Sequence, residues 1–155
     1  MSKTDCPCGN GSYAQCCQIL HLGQQKAQTA QQLMRSRYSA FAKHQIDYLL
    51  HTTALGQQAY LDLKAISDWS QSNQWQQLEV IQVQEKMTKH HAQVEFKAYY
   101  HDATHAQIHH EISYFVRHQD TWYFLDPTVE MKVTMKQACI CGSGKKFKQC
   151  CAEYV

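Results

Sequence analysis

Eight cysteines occupy the two ends of this 155-residue chain, and the 121 residues between Cys17 and Cys139 contain none. Cys6, Cys8, Cys16 and Cys17 form the first group, and Cys139, Cys141, Cys150 and Cys151 the second. Both groups read C-x-C-G-x-G, then a short spacer, an aromatic residue (Tyr13 or Phe147), two more residues and a Cys pair. The first copy is one residue shorter between its pairs. Four thiols in a 12- or 13-residue loop suit one tetrahedral Zn²⁺, which takes four soft ligands at about 2.3 Å. Two zinc ions are therefore expected, one per loop. The glycines allow the tight turn that brings backbone N–H groups toward the thiolates. A disulfide scaffold fits less well: bridging Cys6 to Cys8, or Cys16 to Cys17, strains the usual separation of bridged residues. A redox dithiol would be better served by C-x-x-C.

The run Cys139-Ile140-Cys141-Gly142-Ser143-Gly144-Lys145-Lys146-Phe147-Lys148-Gln149-Cys150-Cys151 resembles the SEC-C motif, the zinc module at the C-terminal tail of the translocation ATPase SecA. Cys6 to Cys17 matches it with Asn10 in place of Ser and a one-residue deletion. A SEC-C knuckle at each end, with Leu33-Met34-Arg35-Ser36-Arg37-Tyr38-Ser39-Ala40-Phe41 after the first, looks like the YchJ family. That resemblance extends over the whole chain. It implies zinc binding, a cytoplasmic bacterial protein and an NTF2-like middle domain, but no particular activity. By analogy with the SecA tail, it also implies a protein partner of the kind that tail engages, the acidic chaperone SecB or the ribosome.

The middle of the chain has its own periodicities. From Gln24 to about His44 apolar residues recur at three- and four-residue steps, which predicts an amphipathic helix. Asp47–Leu50 and Leu61–Trp69 predict two more, separated at Gly56. After Trp75 the period becomes two, predicting strands at 78–84, 92–100, 108–117 and 122–125 joined by short polar loops. Helices first and an antiparallel meander afterwards give an α+β domain with helices on one sheet face; the family resemblance narrows this to an NTF2-like cone flanked by two knuckles. The expected boundaries are 1–22, 23–130 and 131–155. With its own core, the middle domain is expected to stay folded when a knuckle ligand is lost.

Such a cone can hold a pocket between helices and sheet. On the third strand, one face carries Ile108, His110, Ile112, Tyr114 and Val116, and the other His109, Glu111, Ser113, Phe115 and Arg117. If the second face points inward, Glu111 and Ser113 become polar groups in an apolar cavity, able to bind a ligand or to satisfy Arg35 or Arg37 of the first helix. The plainer alternative is that they face solvent, or that Glu111 pairs with a helix arginine to hold the fold. A partly buried arginine would need a carboxylate such as Glu111, Asp47 or Asp126. The ten histidines read as surface residues, because neighbours such as His109 and His110 point to opposite sides of a strand.

Two functions compete. Closed four-thiol sites lack the open position that metal catalysis needs, which favours an interaction or adaptor module over an enzyme. The alternative is a small-molecule-binding protein or enzyme using the central pocket. An open cavity with converging titratable groups would strengthen that alternative, and a filled cone would remove it. The candidate partner surface is the second knuckle, where Lys132, Lys136, Lys145, Lys146 and Lys148 fall within 17 residues that contain no acid. The first knuckle offers Lys3 and Lys26, with Asp5 beside its first ligand. Nucleic-acid binding ranks last, since a net charge of +2 is not a strongly basic balance. The start of the chain has no apolar leader and no run approaches the roughly 18 apolar residues of a membrane span, so a cytoplasmic protein is expected.

Overall fold

The computed structural model describes residues 4–155; Lys3 lies outside the described residues. The middle domain is built from α2 (Ala30–Ala42), α3 (Ile46–His51) and α4 (Leu63–Ser72), followed by strands β1 (Gln74–Gln84), β2 (His91–His101), β3 (Ala106–His118) and β4 (Thr121–Leu125). A short α1 (Cys17–His21) precedes them. The strands form one antiparallel sheet in the order β1-β2-β3-β4. Two-residue alternation thus gave the right strands in the right order. No helix among the described residues is long and apolar enough to cross a membrane.

Helix α2 starts six residues later than its apolar spacing predicts. Thr29 has an extended backbone, and its Oγ1 accepts a hydrogen bond from Gln32 N at 3.0 Å. Glu85, at the end of β1, then accepts from Ala30 N (2.8 Å) and Gln31 N (3.1 Å). A hydroxyl and a carboxylate therefore satisfy the first amides of the helix, where the macrodipole favours negative charge. The T-x-x-Q of residues 29–32 is a sequence-level start signal that the periodicity alone overlooks. The helix ends where His44 adopts a left-handed φ of 58°.

Leu33 and Met34 of α2 pack with Ala92 and Val94 of β2, Phe115 of β3 and Trp122 and Phe124 of β4. The other flank of α2 is buried as well. Ser36 meets Tyr48 of α3 (2.7 Å) and Ser39 meets Cys6 Sγ (3.5 Å). Helix α4 is capped by Asp62, which accepts from Ala65 N at 3.0 Å. Its Trp69 stacks edge-on against Phe41 (5.4 Å) and Trp75 (4.8 Å).

The two ends pack on opposite sides of this domain. Cys6, Cys8 and Cys17 cluster with Leu78 of β1 and lie beside α2. The C-terminal loop covers the outer face of β3 and β4: Ile140 and Phe147 pack with Val116, Leu125, Tyr114 and Tyr123. Between α3 and α4, a 3₁₀ segment (Leu55–Tyr60) receives it. Gly56 N donates to Ile140 O at 2.7 Å. A Cβ on residue 56 would stand 2.9 Å from both Ile140 Cα and Ile140 O, so glycine is required there by close approach of two backbones. Gln57 closes the same seam, donating to Asp126 O (2.8 Å) and accepting from Asp126 N (3.0 Å).

Candidate metal centres and central cavity

The two cysteine loops fold alike despite their length difference. In the first, Cys6 N donates to Gly11 O and Gly9 N to Cys6 O; in the second, Cys139 N donates to Lys145 O and Gly142 N to Cys139 O. Gly9 and Gly142, at φ 92° and 87°, occupy the same left-handed position. One 3₁₀ turn (Tyr13–Gln15 or Phe147–Gln149) then presents the Cys pair. The extra residue of the second loop lies between its two cysteine pairs, where Lys145 O takes the place of Gly11 O, so the shorter copy keeps the same ligand frame.

All four Sγ atoms of each group lie within 4.8 Å of one another. Individual separations are 3.5 Å (Cys8–Cys16) and 3.8 Å (Cys16–Cys17) in the first loop, and 3.6 Å (Cys141–Cys150) and 3.7 Å (Cys150–Cys151) in the second. A tetrahedron of sulfurs about 2.3 Å from its centre has edges of about 3.8 Å. These groups are therefore spaced as ligands, not as disulfides at about 2.05 Å, and all eight thiols are free. Hydrogen bonds from Cys17 and Cys8 hold Cys6 well below the usual thiol range, while contacts with Cys6 and Cys8 push Cys17 far up. Burial first, then Cys8, pushes Cys16 up to about 12. In the second loop Cys141 is held low, Cys151 is pushed far up, and Cys139 rises to about 11 through its contact with Cys141. Thiolates this close repel, so full ionisation of a group requires a central cation. The four-cysteine set fits a metal ion.

Each cluster also has an outer partner that sequence inspection did not assign. Arg35 was a candidate for the pocket, but it does not reach it. Its Nη1 donates to Cys8 O at 2.8 Å, which supplies the first loop with the positive charge that its own sequence lacks. His91, read as a surface histidine, is 4% exposed, and its Nε2 lies 3.3 Å from Cys151 Sγ. Lys145, Lys146 and Lys148 are all exposed and form no ion pair among the described residues.

The middle domain contains a cavity of about 330 Å³ between α2, α4 and the inner sheet face. Its walls are mostly apolar, from Met34, Phe41, Ile66, Trp69, Phe96 and Phe115. Alternation places His109, Glu111 and Ser113 inward on β3, opposite Ala98, Phe96 and Val94 of β2. The small Ala98 leaves the space that His109 enters. Arg37 of α2 and Asp126 after β4 complete the charged lining.

Here the geometry differs from the sequence expectation in two respects. Arg37 is satisfied without a carboxylate: Nη1 donates to Leu49 O (2.9 Å) and Thr52 Oγ1 (2.6 Å), and the guanidinium stacks 4.5 Å over the Phe124 ring. Burial lowers its pKa to about 10, against the pull of Asp126, so it remains a cation at neutral pH. Glu111 pairs with a histidine instead. His109 Nε2 lies 3.5 Å from Glu111 Oε1, and Ser113 Oγ donates a hydrogen bond to Glu111 Oε2. His109 is thus half-buried in the cavity, not a surface residue. The signal was available: it shares a strand face with Glu111 and Ser113.

Burial works to raise the Glu111 pKa, but the contacts from His109 and Ser113 outweigh it and hold it low. The contact with Glu111 raises His109, against burial. Glu111's contribution is present above about pH 4.3 and lost as pH falls through its lowered folded pKa; His109's is present below about pH 6.5 and lost as pH rises through its raised one. Glu111→Gln is therefore expected to destabilise more at about pH 5.5 than at about pH 9. Chemical denaturation at the two pH values checks this, and an equal loss at both would mean that the pair is uncoupled.

Comparison with known proteins matches residues 29–127 to the family model described as "YchJ, middle NTF2-like domain", and residues 135–153 to the SEC-C motif. A UPF0225 protein of Actinobacillus succinogenes is 45% identical over 151 residues, covering 97% of each chain. One of Haemophilus influenzae is 46% identical over 152 residues, covering 97% of this chain and 94% of its own. Among solved structures, a SEC-C motif containing protein of Psychrobacter arcticus is 49% identical with a TM-score of 0.86, covering 93% of this chain and 87% of that one. RPA3114 of Rhodopseudomonas palustris, also a SEC-C motif containing protein, is 32% identical with a TM-score of 0.72, covering 78% and 94%.

Proposed function

The chain belongs to the YchJ family of UPF0225 proteins, and on that premise we propose that it is a zinc-clasped receptor for a small, largely apolar molecule bound in its NTF2-like domain. The observation that carries this reading is the cavity of about 330 Å³, whose aromatic walls surround Arg37, His109, Glu111 and Asp126. Mostly apolar concavities with a few converging polar groups are the usual form of a ligand site. Zinc is the metal of this reading, because four thiolates at tetrahedral spacing suit it best. Closed four-thiol coordination gives both ions a structural role: each anchors one terminus to the domain. A cytoplasmic setting, which keeps eight thiols reduced, belongs to the same reading.

A second reading is favoured by Lys145, Lys146 and Lys148, which are exposed and form no ion pair among the described residues: the C-terminal knuckle docks an acidic protein partner. Exposed lysines a few residues apart attract acidic surfaces in a salt-dependent way.

Protein purified without chelator should carry about two zinc ions per chain. Titration with 1-anilinonaphthalene-8-sulfonate, followed through Trp69 and Trp75, should saturate at one site. Ala98→Phe, which fills the cavity beside His109, should abolish that saturation; binding that persists in Ala98→Phe removes the cavity reading. The docking reading is separated by poly-glutamate, whose salt-sensitive binding should be lost when Lys145, Lys146 and Lys148 are changed together to Glu.

A further inference from the structure

We propose that His109 is a general base that removes a proton from a carbon acid bound in the central cavity, with Glu111 and Ser113 as its positioning residues. The inference deepens the receptor reading and rests on it.

Three side chains of one strand face form a chain. Ser113 Oγ donates to Glu111 Oε2, and Glu111 Oε1 lies 3.5 Å from His109 Nε2. A carboxylate facing Nε2 favours the tautomer that carries its proton there, so the lone pair is left on Nδ1. Nδ1 has no hydrogen-bond partner among the described residues. The imidazole is fixed between rings, 5.7 Å from Trp69 and 6.4 Å from Phe96. Base, orienting carboxylate and orienting hydroxyl therefore follow one another at two-residue steps, and the base stands half-buried in a mostly apolar wall.

The substrate class follows from the walls. Aromatic surfaces from α4, β1 and β2 suit a flat, largely apolar molecule, and Arg37 supplies a cation on the α2 side for the charge that develops. Arg37 uses only Nη1 in hydrogen bonds and pairs with no carboxylate among the described residues. The step balances within the molecule. The C–H bond breaks, its electron pair stays on the substrate as a delocalised anion, and the proton moves to His109 Nδ1. It then returns to a different atom of the same molecule, so nothing is oxidised or reduced and no co-reactant is consumed. The class of reaction is isomerisation by proton transfer.

The test uses the zinc-loaded full chain and 5-nitrobenzisoxazole. Loss of its ring C–H proton to a base breaks the N–O bond and releases a coloured cyanonitrophenolate. Saturable turnover is expected, rising with pH through a midpoint above the ordinary imidazole value of about 6.5. Glu111 of β3 raises this midpoint and burial opposes it; the other titratable groups lining the cavity are Arg37 and Tyr38 of α2 and Asp126 after β4, while α4 and β2 contribute none. Glu111→Gln should move the midpoint down. His109→Ala and His109→Gln should each lower kcat/KM by about 100-fold or more, with probe binding retained by tryptophan fluorescence and zinc content unchanged. Equal rates in the wild type and both His109 variants, or a midpoint in the carboxylate range, would overturn the assignment. A probe that binds but does not turn over removes the base alone; one that does not bind removes the receptor reading with it.

Discussion

Replacing Cys151 by serine is expected to lower the zinc content from about two ions per chain to about one and to destabilise far more than one loop. Cys151 is 0% exposed and shares its cluster with Val116 and Leu125 of the sheet. Structural zinc in isolated zinc-finger peptides is worth about 10–16 kcal/mol, as much as the whole stability of an ordinary domain, about 5–15 kcal/mol. Apart from the metal, the C-terminal loop is held mainly by Ile140 and Phe147, so without the ion it should leave the sheet. That exposes Tyr114, Val116, Tyr123 and Leu125 together, an apolar patch prone to association. The middle domain keeps Leu33, Val94 and Phe115 in its own core and should remain folded. Its melting temperature should still drop by about 10 °C or more, at about 2–4 °C per kcal/mol for a chain of this size. Metal analysis, thermal melting and light scattering read the three effects. Retention of two zinc ions with an unchanged melt would show that Cys151 is not a ligand.

The second large effect is expected at Phe115. It is 1% exposed on the inner face of β3, paired with Phe124 across the strand and packed under α2. Phe115→Ala removes a ring that neighbouring side chains cannot replace, because part of its surroundings is already cavity. Such substitutions cost about 3–5 kcal/mol, which corresponds to a melting temperature lower by about 6–20 °C. Zinc content should stay at about two, since no ligand rests on this ring. The comparison variant is Ile108→Ala on the same strand: Ile108 is 58% exposed, and its truncation should cost no more than about 0.5 kcal/mol. A Phe115→Ala protein that melts like Ile108→Ala would place the core elsewhere.

Much of this molecule was legible in the sequence, for physical reasons. Metal ligation depends on residue type and short spacing, both local, so the repeated cysteine loops announced their geometry directly. Strand alternation is local too, and it gave β1 to β4 in order and sorted β3 into two faces, but it left open which of them points inward. What could not be read was set by contacts across long stretches of chain. Arg37 was expected to need a carboxylate. It is held by a helix-end carbonyl, a threonine hydroxyl and an aromatic ring, none of which carries a sequence signature. Arg35 serves the first metal loop from 27 positions away, and His91 serves the second from 60. His109 is a different case. Its place beside Glu111 followed from alternation, but the abundance of histidines elsewhere hid it.

The contact between Gly56 and Ile140 sets an order in time. The two residues are 84 positions apart, and Ile140 lies between two cysteines of the last loop. During synthesis the helices and all four strands are complete before that loop exists. Until it arrives and takes up metal, the turn at Leu55–Tyr60 has no backbone to receive and the outer face of β3 and β4 stands bare. Domains form as units, so a chain whose cone has closed before this loop takes its place passes through a stage with a finished interior and an uncovered back. The second cysteine loop thus acts as a cover fitted last, and a chain cut short of Cys150 has a sound interior and an adhesive exterior.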